Sequence, residues 1–405
     1  MTYFIITYGC QMNHSDSEKI ATKLQNLGHK PVLSAQAAEL IVVNACSVRQ
    51  SAIHRVFGKV ETFKNKKIVI AGCLLPQDKA LLTKKGATIW HPDDYFCLPP
   101  KIKNTFSALI PVMTGCNNYC SYCVVPFTRG REKSRAAKVI IEEAKKAIKN
   151  GAKEITLVGQ NVNSYRDKNF DFPKLLKTIN NLAGNFWLSF ITSHPKDMSD
   201  QLIKVAAQCQ KVIPYLHLPI QNGDNEILKA MNRKYTVEHY KGLIKKIRSA
   251  FVPPNGTLAD KSVFPPLAIS TDIIVGFPGE TKKQFKNTAK LMKELGFDMA
   301  YLAQYSPRSG TLAAKLKDDV PKKEKRRRER ELNDILTKTA LANNKKYLNK
   351  KVAALIKEIK NGYALGKTAT QKTVRLPAQN LKPGDLINII VNKVSAWGIT
   401  GKREK

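Results

Sequence analysis

Acidic side chains are scarce in this chain of 405 residues: 32 Asp plus Glu stand against 68 Lys plus Arg, a formal net charge of +36. The usual partner for a field of that sign is a polyanion, nucleic acid before an anionic membrane. The plain alternative is a cell whose proteins are basic throughout. Long hydrophobic runs are missing too, since no stretch reaches the roughly 18 apolar residues that a membrane-spanning helix needs. Met1 to Asn13 has no basic start followed by an apolar stretch, so no secretory signal is read there and a cytoplasmic protein is expected. Cysteine is sparse, with eight residues in the whole chain. That is too few for a disulfide scaffold, and the reducing cytoplasm would not maintain one.

What is present is alternation. The chain is long enough for two or three domains, each with its own core. In the first hundred residues short apolar runs alternate with amphipathic stretches, which predicts parallel strands joined by crossover helices. Tyr3–Thr7, Glu39–Asn44 and Lys67–Ala71 read as buried strands. Ser15 with Glu18 forms a capping box that predicts a helix to about Leu27, and Ser51 to about Phe63 reads as a second helix. From Phe106 to Pro307 the same alternation continues in six longer units, with helical stretches such as Val139–Lys149, Glu226–Met231, Val237–Ala250 and Thr281–Leu295 between the strands. Their candidate strands are Ala108–Met113, Glu154–Gly159, Trp187–Thr192, Val212–His217, Ala268–Val275 and Ala300–Tyr305, an open or partial barrel whose working face is the carboxyl edge. Val252–Pro266, with four Pro, reads as a surface loop.

Between Pro321 and Lys351 twelve Lys or Arg stand against four Asp or Glu, so a helix there is strongly basic. From Val352 onward the short β-type runs Val352–Ile359, Thr373–Pro377, Asp385–Val391 and Ala396–Thr400, punctuated by Gly and Pro, predict a small all-β barrel, either a nucleic-acid clamp or a stabilising appendage. The expected organisation is thus α/β throughout residues 1–100 and 105–335, with the β-barrel over 340–405.

The sharpest chemical signal is Cys116-x-x-x-Cys120-x-x-Cys123, preceded by Thr114-Gly115. Three thiolates on one loop can grip three irons of a four-iron cube and leave the fourth iron open for chemistry. Structural zinc is the competing reading, but a closed zinc site takes four ligands and this loop offers no fourth Cys or His. The second signal is Cys10, Cys46 and Cys73, each just past the carboxyl end of one N-terminal strand, where ligands of such sheets gather. A lone Cys is better read as a small buried hydrophobe, and Cys97 and Cys209 are read that way. Three at equivalent strand ends are read as a shared metal site.

These motifs carry a resemblance. Thr7-Tyr8-Gly9-Cys10-Gln11-Met12-Asn13, Asn44-Ala45-Cys46-Ser47-Val48-Arg49 and Ala71-Gly72-Cys73 resemble the N-terminal domain of the methylthiotransferase family. Gly115-Cys116-Asn117-Asn118-Tyr119-Cys120-Ser121-Tyr122-Cys123, continuing through Pro126, Arg129 and Gly130 to Arg135, resembles its radical S-adenosylmethionine domain. Thr192-Ser193-His194-Pro195, His217 to Gln221, Met231 to Thr236 and Tyr305 to Thr311 extend the likeness over nearly the whole chain. The C-terminal barrel resembles the family's RNA-binding TRAM domain, with Gly366-Lys367-Thr368. Gly9 to Asn13 and the Val124-to-Gly130 run are similar to the branch acting on isopentenyladenosine in tRNA. The other branches, acting on threonylcarbamoyladenosine or on a ribosomal-protein aspartate, stay as alternatives, as does a non-catalytic iron–sulfur RNA-binding protein.

The resemblance implies a tRNA methylthiotransferase with two 4Fe-4S clusters and S-adenosyl-L-methionine as cofactors. By it, Cys116, Cys120 and Cys123 hold the radical-generating cluster, and Cys10, Cys46 and Cys73 hold the cluster that presents sulfur. It places Tyr122 beside the adenine of the cofactor, and it gives Gly159, Gln160, Asn161, Ser193, Gln221, Arg233 and Gly276 as further cofactor contacts. Asn222 stands where the family commonly has Ser. His194 and His217 are candidates for moving protons, and Arg129, Arg131 and Arg135 for binding phosphate. Implied partners are the tRNA anticodon loop, an electron donor such as flavodoxin or ferredoxin, and a sulfur donor, around a monomer without a membrane.

Overall fold

The structure is a computed structural model, and it describes residues 1–48, 50–101, 106–251 and 267–404. Arg49 and the proline-containing segment 252–266, read above as a surface loop, lie outside the described residues. The N-terminal layer is built from β1 (Thr2–Thr7), α1 (Gln11–Asn26), β2 (Leu40–Cys46), α2 (Gln50–Thr62), β3 (Lys67–Cys73) and α3 (Pro76–Lys84). With the short strands Lys30–Pro31 and Thr88–Ile89 at its edges, it is a parallel sheet of five strands with β2 at the centre. β2 is buried at every position, as a strand with both faces covered by helices must be.

Helix α1 starts four residues before the expected capping box, directly after Cys10, and Cys10 makes no side-chain cap. The reason is tertiary. Ser15 is inside the helix and its Oγ donates to the Leu109 carbonyl of the next unit at 3.2 Å. Asn13 Nδ2 donates to Asn44 Oδ1 at 3.0 Å and to the Ala45 carbonyl at 2.9 Å. The polar face of α1 is therefore an interface, and burial of Asn13, Ser15, Asp16, Ser17 and Lys19 follows from it.

The central unit contains β4 (Ser107–Pro111), α4 (Val125–Arg129), α5 (Ala137–Lys149), β5 (Glu154–Val158), α6 (Phe172–Asn180), β6 (Trp187–Phe190), α7 (Asp200–Gln208), β7 (Tyr215–His217), α8 (Asn225–Ala230), α9 (Val237–Ala250), β8 (Ala268–Val275), α10 (Lys282–Leu295) and β9 (Met299–Gln304). Two parallel three-stranded sheets, β4-β5-β6 and β7-β8-β9, are joined by a parallel bridge between Leu188 and Val212. They form the open six-stranded barrel that the alternation predicts. Helices α6 and α7 carry no expectation above; Phe172-Pro173 and Asp200 open them after the caps Asp171 and Ser199, whose side chains accept from Lys174 N–H and Leu202 N–H.

Helix α11 (Lys322–Lys345) packs across α10 and β9. Beyond it, β10 (Lys351–Lys360), β11 (Tyr363–Thr368), β12 (Thr373–Pro377), β13 (Leu386–Ser395) and β14 (Gly398–Arg403) close into a barrel in the order β10-β11-β12-β14-β13. This barrel caps the amino-terminal end of the central strands. Lys357 pairs with Glu154 at 2.5 Å and Lys372 with Asp298 at 2.7 Å, while Leu355 and Ala369 pack on Trp187 and Ile213. No helix among the described residues is long and apolar enough to cross a membrane.

Candidate active site

The first thiol triad is assembled by sheet register. Cys46 and Cys73 are the last residues of neighbouring strands and face each other as register partners; the expectation had placed both just past the strand ends. Cys10 lies three residues beyond β1, at the start of α1. Gly9 makes the approach, since a Cβ there, at φ +121°, would stand 3.0 Å from Cys46 Cβ. Cys46 and Cys73 are buried and Cys10 is exposed. Burial pushes the Cys73 thiol up to about 12, against the opposing pull of the Arg129 guanidinium, and it also raises Cys46. A thiolate here needs added positive charge, which a metal supplies.

The second triad sits on the loop after β4. Gly115, at φ +78°, leaves no room for a side chain, because a Cβ would meet the Arg131 carbonyl oxygen at 2.0 Å. Tyr119, also at positive φ (48°), turns the chain between Cys116 and Cys120. Burial pushes Cys123 to about 12, and the neighbouring Cys120 adds to it. Among the described residues no three or more Cys, His, Asp or Glu are spaced around a single ion. Thiols held on a cube attach to separate irons and span a wider circle than a single zinc allows.

One buried arginine serves each triad. Arg129, in α4, donates from Nε to Cys73 Sγ at 2.9 Å and from Nη2 to Asp16 Oδ2 at 2.5 Å. It comes from the helix that starts two residues after Cys123, so the loop of one triad supplies the arginine-to-sulfur contact of the other. It is therefore no surface phosphate contact. Arg135 is also spoken for, donating to the Pro111 carbonyl and to Glu143 at 2.6 Å each; Arg131 is exposed and stacks on Tyr119. Arg233 donates to Cys120 Sγ at 3.5 Å, to the Pro219 carbonyl at 2.8 Å and to Tyr235 Oη at 2.7 Å. Sequence reasoning missed Arg308, which donates to the Ser47 carbonyl and to Gln50 Oε1 and so ties the loop after Cys46 to the loop after β9.

The remaining expected contacts divide. Around the carboxyl ends of β4, β5 and β6, the buried atoms Thr114 Oγ1, Gln160 Oε1, Asn161 Oδ1 and Ser193 Oγ have no hydrogen-bond partner in the protein. Such groups carry a cost unless a ligand satisfies them. Thr192, β-branched yet at φ +68°, and Gln221, at φ +76°, store backbone strain on the same edge. Gly159 leaves space that Met113 Sδ fills, 2.9 Å from where a Cβ would stand. Gly276 is packed under the Lys325 stem, and its N–H is taken by Glu280 at 2.6 Å. The Tyr122 ring packs with Ile227, Met231, Phe277 and Tyr305 in an apolar cluster. Asn222 is fully buried and bonded to Glu280 and Thr288, which makes it a structural residue of this fold. Cys209 lies in the central core, whereas Cys97 is exposed and fills no core.

A cavity of about 1110 Å³ runs along the inner face of the central barrel, from Cys10 and His14 past Thr192 and His217 to Lys357, Lys372 and Trp397 of the C-terminal barrel. His217 is fixed there by Ser270 Oγ at 2.8 Å and Asp272 at 3.4 Å. His194 is different: burial, with Arg233 and Lys196 nearby, lowers its pKa to about 2, so it stays neutral.

Residues 110–292 match the family model described as the Radical SAM superfamily, and residues 2–90 the one described as Uncharacterized protein family UPF0004. Over 99% of its length the chain is 36% identical to the tRNA-2-methylthio-N(6)-dimethylallyladenosine synthase of Alkaliphilus oremlandii, covering 92% of that protein. The chain belongs to the methylthiotransferase family of radical S-adenosylmethionine enzymes. The synthase of the same name from Clostridium novyi is 37% identical, with 99% of this chain and 96% of that one aligned. Among solved structures, the radical S-adenosylmethionine methyltransferase TsrM from Kitasatospora setae shares the fold of this methylthiotransferase at TM-score 0.53, with 12% identity over 77% of this chain and 75% of that one. The cobalamin-dependent S-adenosylmethionine radical enzyme OxsB does so at 0.51, with 8% identity over 82% and 55%. As a methylthiotransferase the chain takes S-adenosylmethionine and two 4Fe-4S clusters as cofactors.

Proposed function

We propose that this chain adds a 2-methylthio group to dimethylallyladenosine (isopentenyladenosine) beside the anticodon of tRNA, in the cytoplasm and as a monomer. The observation that carries the reading is the pair of three-thiol sites, joined through Arg129 and with Cys10 of one of them lining the cavity, in a chain that matches synthases of that name over 99% of its length. Cys116, Cys120 and Cys123 hold one cluster, and Cys10, Cys46 and Cys73 the other. When bound, S-adenosylmethionine and the two clusters supply the radical that removes hydrogen from the adenine ring and the methylated sulfur that replaces it.

The protein's own groups bind, orient and shield. Gln160, Asn161, Ser193 and Thr114 offer the free polar atoms that suit the amino and carboxylate groups of S-adenosylmethionine. The inner face of the central barrel keeps water from the reacting carbon. His217, held by Ser270 and Asp272, faces the cavity and can exchange a proton there, while His194 acts only as an acceptor for Lys196 N–H. A base in an anticodon loop can be splayed into such a cavity at modest cost. Residues 1–100, 105–335 and 340–405 act as sulfur-presenting, radical and RNA-binding domains. A low-potential electron donor such as flavodoxin or ferredoxin, and a sulfur donor, complete the cycle.

The test uses holoprotein reconstituted with iron and sulfide, given dithionite, S-adenosylmethionine and tRNA bearing dimethylallyladenosine. Mass spectrometry of the digested nucleosides should find the 2-methylthio product. Replacing Cys116, Cys120 and Cys123 by Ala should end 5′-deoxyadenosine formation, whereas replacing Cys10, Cys46 and Cys73 should spare it and end only the methylthio product. Failure of the holoprotein to modify this tRNA, with 5′-deoxyadenosine still formed, would remove the substrate assignment.

A further inference from the structure

We propose that Arg129 is a positioning residue for the Cys10, Cys46 and Cys73 triad: it donates to one thiolate and holds another N–H in reserve for the cluster, raising that cluster's reduction potential. The inference rests on the assignment of this triad to the second cluster.

The Arg129 and Asp16 side chains are both 0% exposed. Enclosing a guanidinium so completely demands that its five N–H groups be used. The protein uses them only in part. Nη2 meets Asp16, Nε meets Cys73 Sγ, and Nη1 has no partner in the protein, nor has Asp16 Oδ1. The other buried arginine pairs are occupied differently: Arg135 and Arg328 direct their N–H groups to carboxylates and carbonyls. A guanidinium that turns its Nε edge to sulfur and leaves one amino group unused is shaped for a larger sulfur-rich anion than the bare thiols.

Hydrogen bonds to cluster sulfur and nearby positive charge both favour the more negative, reduced form of a cluster. Asp16 offsets part of that charge and fixes the guanidinium plane. The sulfur contact is also shorter than its counterpart at the radical triad, 2.9 Å for Arg129 to Cys73 against 3.5 Å for Arg233 to Cys120.

The experiment compares reconstituted full-length proteins in which Cys116, Cys120 and Cys123 are Ala, so that iron reports the second triad alone. Arg129 is kept, or changed to Lys or Met, and a fourth protein carries Asp16→Asn with Arg129 intact. Iron and sulfide are counted, and the cluster midpoint is read by potentiometric electron paramagnetic resonance. Arg129→Met should shift the midpoint downward, Arg129→Lys should fall between it and the parent, and Asp16→Asn should shift it upward. A parent midpoint in an iron-replete Arg129 variant overturns the role of Arg129. So does an unmoved Asp16→Asn midpoint where both Arg129 variants lose iron. Absence of iron from the parent itself overturns the cluster assignment as well as the inference, and so separates the two failures.

Discussion

Lys372 Nζ meets Asp298 Oδ1 at 2.7 Å where the C-terminal barrel caps the central one, with side chains only 7% and 13% exposed. Removing one member leaves the other charge enclosed without an opposite charge, although Asp298 keeps the Ile269 N–H at 3.0 Å. Lys372→Met should lower the stability of the docked chain by about 3 kcal/mol, while the double change Lys372→Met/Asp298→Leu should restore most of it. Thermal unfolding, with limited proteolysis between α11 and β10, gives both numbers; equal losses in single and double variants would mean the pair does not hold the barrels together.

Gly115→Ala should damage the radical loop selectively. The new Cβ collides with the Arg131 carbonyl and must also adopt φ +78°, a combination costing about 1–3 kcal/mol. Iron retained by the Cys116 triad should fall, while iron held by Cys10, Cys46 and Cys73 stays, as read by iron analysis in backgrounds lacking one triad or the other.

His194 should shape the acid limb of stability. Its pKa lies near 2 in the folded chain against 6.5 for the free side chain, from burial first and then Arg233 and Lys196. Between those two values the unfolded chain takes up a proton that the folded chain refuses, so stability falls as pH drops from about 6.5 toward 2. Above about 6.5 the group contributes no pH dependence. His194→Gln should flatten this limb in urea titrations run at several pH values; an unchanged limb would show that His194 is not the group responsible.

Affinity for tRNA should fall steeply with salt, and α11 should set part of the slope. Not all its charges are available. Lys325, Arg327 and Arg328 are paired with Asp318, Glu324, Glu331 and Glu280. Lys323 and Arg326 are exposed and make no ion pair among the described residues. Changing each to Gln should lower the slope of log affinity against log salt by about one. Filter binding at a series of salt concentrations measures it, and an unaltered slope would place the RNA elsewhere.

The periodic elements were legible because burial on both faces writes itself into composition. Ala268–Val275 and Val237–Ala250 are found at the expected residues. The thiol motifs were legible because three Cys in eight residues have few other uses. Interfaces between units left weaker marks. Nothing local says that Lys19 is fully buried with its ammonium on the Phe96 and Leu98 carbonyls, or that Ser15 caps nothing and reaches Leu109 instead. Arg129 and Arg308 belong to the same class. Their partners lie 113 and about 260 residues away in sequence, and an Arg in a basic loop reads as a phosphate ligand until the fold brings a carboxylate or a carbonyl to it. The strand Tyr363–Thr368 escaped because Gly366 interrupts it, though that glycine is where β10 passes closest, with Leu355 O 2.5 Å from a would-be Cβ.

Cys46 and Cys73 arrive at the ends of two strands and Cys10 at the start of α1, and the two strand thiols stand opposite only when β2 and β3 are paired along their whole length. A slip of one residue would turn one sulfur to the far face. On the proposed assignment, iron captured by this trio is a record of correct strand alignment. Chains mispaired during synthesis would not keep it, and the iron held at this triad, counted where Cys116, Cys120 and Cys123 are replaced, would double as a census of properly matured molecules.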